Sequence, residues 1–312
     1  MKTGKTTLKR VLLVTLALIL ALSMAACGGN DNNEDSESNN EPIKIGTKPM
    51  TESRILGEMF KLLAEDAGYT AEITKDIAGG TTNIMPAMEK GELDMYPEYL
   101  STGWFNVLKE TDPPGNSDEL IQKLNEEYND KYNMKWIGIY GFNNTYAFAV
   151  SNDFAETNNL KTMSDLAAIS DKAVFGGNGD YMERADGFEA VKDEYGFNFK
   201  DVKDIEIGLK YEALKSGDID VTNAFTTDAQ LFNAPITALE DDKNFFSEYF
   251  ASTVVRQDAL TKYPNLEAAL EKMNGLINDD EMRELNYAVE VDGKDENTVA
   301  REYLVKKEII KE

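Results

Sequence analysis

The chain has 312 residues, and its 57 acidic and 32 basic residues give a formal net charge of −25 at pH 7. Such an acidic surface repels phosphate backbones, which argues against nucleic-acid binding. Histidine is absent, and this excludes Ser-His and Cys-His nucleophile pairs and most zinc sites. An enzyme is therefore less expected, and we also expect neither a metal nor a cofactor.

Residues 1–26 have the pattern of a secretory signal peptide. Four basic residues precede an apolar run from Val11 to Leu22, which is too short to span a bilayer stably, and small residues then lead to Cys27. A cysteine directly after such a site resembles a bacterial lipobox, although Met24 stands where leucine is usual. We expect Cys27 to carry a diacylglycerol that anchors the protein on the extracytoplasmic face of the cell membrane. The alternative is an ordinary signal peptide followed by an incidental cysteine.

Residues 27–42 are predicted to be a disordered linker after the lipidated cysteine. The stretch 28–41 contains no apolar residue, so it cannot bury enough surface to offset the entropy of the chain. Order should begin at Ile43. The remainder of the chain is long enough for one large domain or for two lobes.

Beyond the linker, short apolar runs alternate with amphipathic ones. In chain order the pattern predicts a strand at 43–46, a helix ending at Gly68, a strand near 71–74 and a helix from 81–83 onward. A polar helix over 117–132 follows, and then apolar runs at 136–140 and 146–150. The alternation continues to about residue 255, and a helical tail covers 266–310 with breaks near Asn278 and Gly293. This alternation predicts an α/β protein with parallel sheets.

Two segments of the chain repeat one pattern. Residues 89–99 read EKGELDMYPEY and residues 215–225 read KSGDIDVTNAF. In each, a helix end is followed by a glycine, a short buried strand and an aromatic residue, Tyr99 or Phe225. Open α/β sheets bind ligands at the carboxyl ends of their strands. Unless the repeat is a coincidence, it predicts two similar lobes that each point an aromatic ring into a shared cleft.

Five motifs occur in a characteristic order: GTKPMTES at 46–53, MYPEY at 95–99, GFNNTY at 141–146, RADGF at 184–188, and the stretch from 208 to 256 that contains NAF at 223–225. Together they resemble the substrate-binding lipoproteins of osmoprotectant ABC importers, which bind glycine betaine, proline betaine, carnitine or choline. The resemblance implies the two-lobed type II periplasmic-binding-protein fold, with a ligand cleft between the lobes and chain crossings near 143–147 and 248–253. The implied lobes are residues 43–146 plus 252–312, and residues 147–251.

The chemistry of these ligands requires aromatic residues. A trimethylammonium group is a bulky cation with no hydrogen to donate, so aromatic faces bind it by cation–π attraction. The resemblance places the aromatic cage at Tyr99, Tyr146, Phe225 and Tyr249, with Phe225 where the family usually has tyrosine. Asn144 is also assigned to the site, at a position where some members carry aspartate.

The resemblance assigns the carboxylate of a betaine to Lys48, Thr102 and Arg184, of which arginine supplies a planar fork of two donors. The two cations could instead be surface charges that pair with the abundant carboxylates. If both lie in the cleft, they repel a purely cationic ligand and fit a zwitterion. Glycine betaine or proline betaine is therefore expected to bind more tightly than choline.

These observations predict a solute-binding lipoprotein, without catalytic residues, that delivers a quaternary-ammonium osmoprotectant to the membrane subunits of an ABC permease. The protein is expected to act as a monomer. Within the same class, the alternative is a receptor for choline, carnitine or another trimethylated amine. The alternatives from other classes are an extracytoplasmic enzyme that works through paired carboxylates and an acidic surface or adhesion protein.

Overall fold

The computed structural model describes residues 41–111, 113–183, 187–206, 209–246 and 248–312. The predicted signal peptide, Cys27, the linker up to residue 40 and Arg184 lie outside the described residues. Within these ranges, no helix combines the length and the apolar character that crossing a membrane requires.

Strands and helices alternate along the described chain. The strands are β1 (Ile43–Gly46), β2 (Ala71–Thr74), β3 (Met95–Tyr99), β4 (Met134–Ile137), β5 (Tyr146–Ser151), β6 (Val174–Gly177), β7 (Asp201–Asp204), β8 (Val221–Phe225), β9 (Ile236–Leu239) and β10 (Ala251–Arg256). The helices are α1 (Thr51–Asp66), α2 (Thr81–Glu89), α3 (Leu100–Thr102), α4 (Ser117–Tyr132), α5 (Asn152–Asn158), α6 (Met163–Ala167), α7 (Gly179–Glu183), α8 (Phe188–Tyr195), α9 (Lys210–Ser216), α10 (Gln257–Lys262), α11 (Leu266–Glu271), α12 (Asp279–Glu290) and α13 (Glu296–Lys306). A π-helical turn, Gly103–Leu108, continues α3.

The strands form two five-stranded sheets. The first has the order β2-β1-β3-β10-β4, and the second has the order β7-β6-β8-β5-β9. The chain leaves the first sheet between β4 and β5 and returns to it between β9 and β10. An antiparallel bridge between Asn143 and Phe250 pairs the two crossing segments. The crossings thus fall where the resemblance implied, while the residue bounds of the two lobes stay a prediction.

The expectation of parallel sheets is wrong, because both sheets are mixed. In the first sheet β10 runs antiparallel to β3 and β4, and in the second β5 runs antiparallel to β8 and β9. These two strands are the ones that directly follow a crossing. A chain that arrives from the other sheet enters at the edge where the neighbouring strands end, so it runs in the opposite direction.

The repeated segments build the same junction in the two sheets. In the first, the Asp94 N–H donates to the Lys44 carbonyl at 2.7 Å, and the Asp94 carboxylate accepts from the Lys44 N–H at 2.9 Å. In the second, Asp220 makes the same two bonds with Val174, at 2.9 and 2.8 Å. Each aspartate directly precedes its strand and ties it to a parallel neighbour, which fixes where the strand begins.

Glycine makes each junction sterically feasible. Gly91 and Gly217 follow α2 and α9 with φ angles of 74° and 78°, a region that side chains with a Cβ disfavour. The strands that start after these turns end at Tyr99 and Phe225. The repeat therefore positions two aromatic residues at equivalent strand ends, as the sequence predicts.

The helical tail packs on the first sheet. Helices α11, α12 and α13 all contact α1, and their apolar residues join one core with those of α1 and β1. The predicted breaks are confirmed: Asn278 caps α12 by accepting from the Glu281 N–H at 2.9 Å, and Gly293 lies between α12 and α13. This packing holds the first turn of α1 against the middle of α12.

Candidate ligand-binding cleft

A cleft of about 330 Å³ lies at the carboxyl ends of β3 and β8, within the usual size range of small-molecule sites. Six of the eight predicted ligand contacts line it: Lys48, Tyr99, Thr102, Asn144, Phe225 and Tyr249. Its other lining residues are Met50, the turn from Gly79 to Thr82, and Asn106. Residues from both sheets and both crossing segments therefore meet around one space.

Of the predicted contacts that the structure describes, Tyr146 does not line this cleft. Tyr146, at the start of β5, stacks with its ring centroid 4.7 Å from that of Phe225, 5.1 Å from Tyr181 and 5.7 Å from Phe246. It is thus placed to support the Phe225 ring from the neighbouring strand. Arg184 lies outside the described residues, so its role stays a prediction.

Lys48 is held by a carboxylate that the sequence reasoning gave no role. Its ammonium forms an ion pair with Glu98, which is fully buried, and lies 4.9 Å from the centroid of the Tyr99 ring. Glu98 also accepts hydrogen bonds from the Thr81 hydroxyl at 2.6 Å and from the Tyr99 N–H at 2.8 Å. The lysine is thereby fixed at the cleft, and its charge is compensated from the strand behind it.

A second buried carboxylate, Glu52, lies at the hydroxyl end of Tyr99. It accepts hydrogen bonds from the Tyr99 hydroxyl, from Asn144 Nδ2 at 2.9 Å and from Asn286 Nδ2 at 3.5 Å. Burial raises the pKa of Glu52, and the donated hydrogen bonds oppose this rise. Burial, together with the neighbouring Glu52 charge, also raises the pKa of Tyr99, so the phenol keeps its proton and donates it.

The crossing segments place Asn144 and Tyr249 side by side. The Asn144 N–H donates to the Tyr249 carbonyl at 3.2 Å, and the Tyr249 N–H donates to Asn143 Oδ1 at 2.6 Å. The Asn143 N–H donates to Asp279 Oδ1 at 2.8 Å, which ties the first crossing to the start of α12. The hydrogen-bonded pair of segments therefore forms one wall of the cleft.

Phe225 is fixed by the loop that follows it. Its N–H donates to Asp228 Oδ2 at 3.1 Å, and the same oxygen accepts from the Tyr211 hydroxyl at 2.5 Å and from Lys210 Nζ at 3.2 Å. Lys210 is itself buried, with Nζ 5.8 Å from the Phe225 ring centroid. The aromatic ring at this strand end is thus anchored through its own backbone.

Glu52 and Glu98 contact residues that line the cleft, and the sequence analysis gave neither of them a role. Both lie inside the motifs that carry the resemblance, at 46–53 and 95–99. A carboxylate next to predicted ligand contacts was the sequence signal that could have identified them. Glu98 also lies in β3, a strand in which every residue is buried. By contrast Tyr96 and Trp104, the other aromatic residues near this motif, belong to the apolar core.

Comparisons with known proteins identify the family of the chain. The family model for the substrate-binding domain of ABC-type glycine betaine transport systems matches residues 41–306. The carnitine transport binding protein OpuCC of Listeria monocytogenes serotype 1/2a (strain 10403S) is 33% identical over 303 residues, which are 95% of this chain and 94% of that protein.

A second relative is longer than this chain. The ergothioneine transport permease/ergothioneine binding protein EgtU of Helicobacter pylori (strain G27) is 37% identical over 264 residues, which are 85% of this chain and 47% of that protein. The chain therefore spans about half the length of that relative.

Solved structures confirm the fold class. A crystal structure described as a glycine betaine/carnitine/choline ABC transporter superimposes with a TM-score of 0.80 at 32% identity, over 86% of this chain and 99% of the other. The apo YehZ structure from Escherichia coli superimposes with a TM-score of 0.74 at 25% identity, over 86% and 99% of the two chains. Both support the two-sheet binding-protein architecture. The chain therefore belongs to the family of substrate-binding domains of ABC-type glycine betaine transport systems, and it is a solute-binding protein rather than an enzyme.

Proposed function

We propose that the protein captures a zwitterionic quaternary-ammonium solute, glycine betaine or proline betaine, outside the cell and delivers it to the membrane subunits of an ABC permease. The observation that supports this proposal best is the convergence of Tyr99, Phe225 and Tyr249 with Lys48 around one cleft. Because the aromatic residues come from both sheets, a ligand between them contacts both halves of the protein at once.

The aromatic side chains suit the cationic end of the ligand. A trimethylammonium group offers no hydrogen-bond donor, and each aromatic face contributes ~0.5 kcal/mol when exposed and ~2 kcal/mol when desolvated. Tyr99 is almost completely buried, whereas Phe225 and Tyr249 are half-buried. Closure of the two halves around a ligand would desolvate the latter two rings and strengthen their attraction for the cation.

Lys48 and Thr102 suit the carboxylate end. An ammonium group has three donors, so Lys48 can keep its bond to Glu98 and still donate to a ligand carboxylate. Thr102, which also lines the cleft, adds a hydroxyl donor. Arg184 completes this group in the proposal on the strength of the family resemblance alone.

A second candidate is a receptor for carnitine, choline or another trimethylated amine that carries its own hydrogen-bond donor. Asn144 Oδ1 is buried in the cleft wall and, among the described residues, has no hydrogen-bond partner. A hydroxyl or an N–H on the ligand would satisfy this acceptor, and glycine betaine has neither. The names of the two relatives, which refer to carnitine and to ergothioneine, are compatible with this candidate.

Isothermal titration of glycine betaine, proline betaine, choline, carnitine and ergothioneine into the purified protein tests both candidates. A ligand present at about 100 times its Kd should also add ~2.7 kcal/mol to the free energy of unfolding. We expect the two betaines to bind most tightly. Tighter binding of a ligand that carries a donor would favour the second candidate, and no response to all five would refute the ligand class.

We further propose that a diacylglycerol on Cys27 anchors the protein to the extracytoplasmic face of the cell membrane. This proposal is supported by the sequence alone: a charged and apolar leader, small residues, and a single cysteine at the predicted cleavage site. A polar linker up to residue 42 would then let the binding domain reach the permease while it remains tethered.

A further inference from the structure

Glu52 lies at the meeting point of the elements that build the cleft. It is in the first turn of α1, is 3% exposed, and receives hydrogen bonds from the end of β3, from the first crossing segment and from α12. Asn286 Nδ2, one of these donors, also donates to the Thr227 carbonyl in the loop after β8 at 2.9 Å. The first sheet, the first crossing segment and α12 therefore each contribute a donor to one buried acid.

This carboxylate has no cationic partner among the residues that the structure describes. Two comparable buried acids do have one: Glu98 pairs with Lys48, and Glu58, on the same helix as Glu52, pairs with Lys75 at 2.7 Å. Buried charges are normally paired, because an isolated ion loses its hydration without compensation. In each of the hydrogen bonds of Glu52 given above, the carboxylate is the acceptor, as it must be when it is ionised and has no proton to donate.

We propose that Glu52 is the residue that selects a positively charged ligand, with the ligand's quaternary ammonium serving as the missing counter-charge. The proposal rests on the function proposed above and specifies how the site distinguishes a cation from a neutral group of the same shape. Glu52 lies behind the cleft and acts through Tyr99 and Asn144, so it is a positioning and charge-supplying residue.

Two physical effects carry the selection. The Tyr99 hydroxyl donates to the Glu52 carboxylate, which polarises the phenol, increases the electron density of the ring and strengthens cation–π attraction. The carboxylate charge also attracts a cation directly, and this attraction is stronger in a desolvated cleft than in water. Neither effect acts on a tert-butyl group, which has the same shape as trimethylammonium and no charge.

Burial gives an independent reason to expect a functional charge. Because burial raises the pKa of Glu52, ionised Glu52 is less favourable in the folded protein than in the unfolded chain. The charge is therefore kept at this position against the cost of its burial. Glu52→Gln replaces one acceptor oxygen by an N–H donor that faces other donors, so the free energy of unfolding should fall somewhat whatever the role of the charge, and the affinities for charged and uncharged ligands are what separate the two roles.

The decisive experiment compares glycine betaine with its uncharged-centre isostere, 3,3-dimethylbutanoate, by calorimetric titration of the wild type and of Glu52→Gln. We call the affinity for glycine betaine divided by the affinity for the isostere the affinity ratio. We expect this ratio to fall by about tenfold in the variant, while the isostere binds as well as before or better. Equal losses for both ligands would mean that Glu52 only maintains the shape of the site, and the proposal would be overturned.

Glu58→Gln is the matched control, since Glu58 is also a buried acid on α1 but contacts Lys75 and Asn297 away from the cleft. Its affinity ratio should equal that of the wild type, and a tenfold fall there would also overturn the proposal. If Glu52→Gln does not fold, Tyr99→Phe keeps the ring and removes the hydroxyl that donates to Glu52. That variant should lower the ratio severalfold, and an unchanged ratio would refute the mechanism.

The two proposals fail in different ways. If the wild type binds none of the quaternary amines, the proposed function is refuted and the role of Glu52 is refuted with it. If the wild type binds them and the variants keep the wild-type preference for the charged ligand, only the role of Glu52 is refuted. Choline and 3,3-dimethylbutan-1-ol provide the same comparison should the betaine not be the ligand.

Discussion

Replacing Lys48 by methionine should destabilise the protein, because it leaves the fully buried Glu98 without its ion-pair partner. Breaking a buried pair by removing one member costs ~3–5 kcal/mol. The hydrogen bonds from the Thr81 hydroxyl and the Tyr99 N–H remain and stabilise the carboxylate in part. We therefore expect a loss near the lower end of that range, about 3 kcal/mol, from a total stability that is ~5–15 kcal/mol for a typical protein.

Urea denaturation at pH 7 of the wild type, Lys48→Met, Glu98→Gln and the double variant measures this loss. The double variant should regain most of the stability, because it removes both charges from the interior and leaves no unpaired ion. If Lys48→Met unfolds at the wild-type urea concentration, or if the double variant is no more stable than Lys48→Met, then Glu98 does not depend on the lysine in the way the geometry indicates.

The same variants separate stability from binding. Lys48→Met should weaken glycine betaine binding, since the carboxylate of the ligand loses a charge-assisted donor, and it should leave choline binding unchanged or slightly stronger. Calorimetry on the folded variants, at a temperature where each is native, provides the comparison. Equal losses for the two ligands would show that the lysine shapes the cleft instead of binding a carboxylate.

The other predictions concern the cage, the second cation and the anchor. Tyr249→Ala and Tyr146→Ala should each weaken betaine binding by ~1–2 kcal/mol, measured by calorimetry. Substitution of either tyrosine by phenylalanine should have little effect, and Phe225→Tyr should leave the affinity unchanged or raise it. Unchanged binding in both alanine variants would eliminate this cage. Arg184→Ala should abolish most betaine affinity and spare choline in the same titrations, and a parallel loss would assign Arg184 to the fold. Cys27→Ser should abolish fatty-acid labelling of the protein and release it from the membrane fraction, whereas a variant that still labels would disprove the lipidation site.

Local patterns in the sequence predicted much of the fold. The polar helix over 117–132, the start of β1 at Ile43 and the break at Asn278 all follow from apolar periodicity and from capping residues, which act over a few positions. The repeat of 89–99 in 215–225 identified two strand ends, and its equivalent aspartates make equivalent hydrogen bonds. Together with the family resemblance, these patterns also identified six residues that line the cleft.

Only the tertiary structure determined the directions of β5 and β10 and the partners of the buried acids. Strand direction depends on where the chain re-enters a sheet after a crossing, and no local pattern encodes it. Glu52 lies 92 positions from Asn144 and 234 from Asn286 in the chain, and Glu98 lies 50 positions from Lys48. Whether an acid is exposed to water or enclosed behind an aromatic ring depends on which distant segments pack over it. In a chain with 57 acidic residues, packing alone distinguishes these two carboxylates from the charges on the surface.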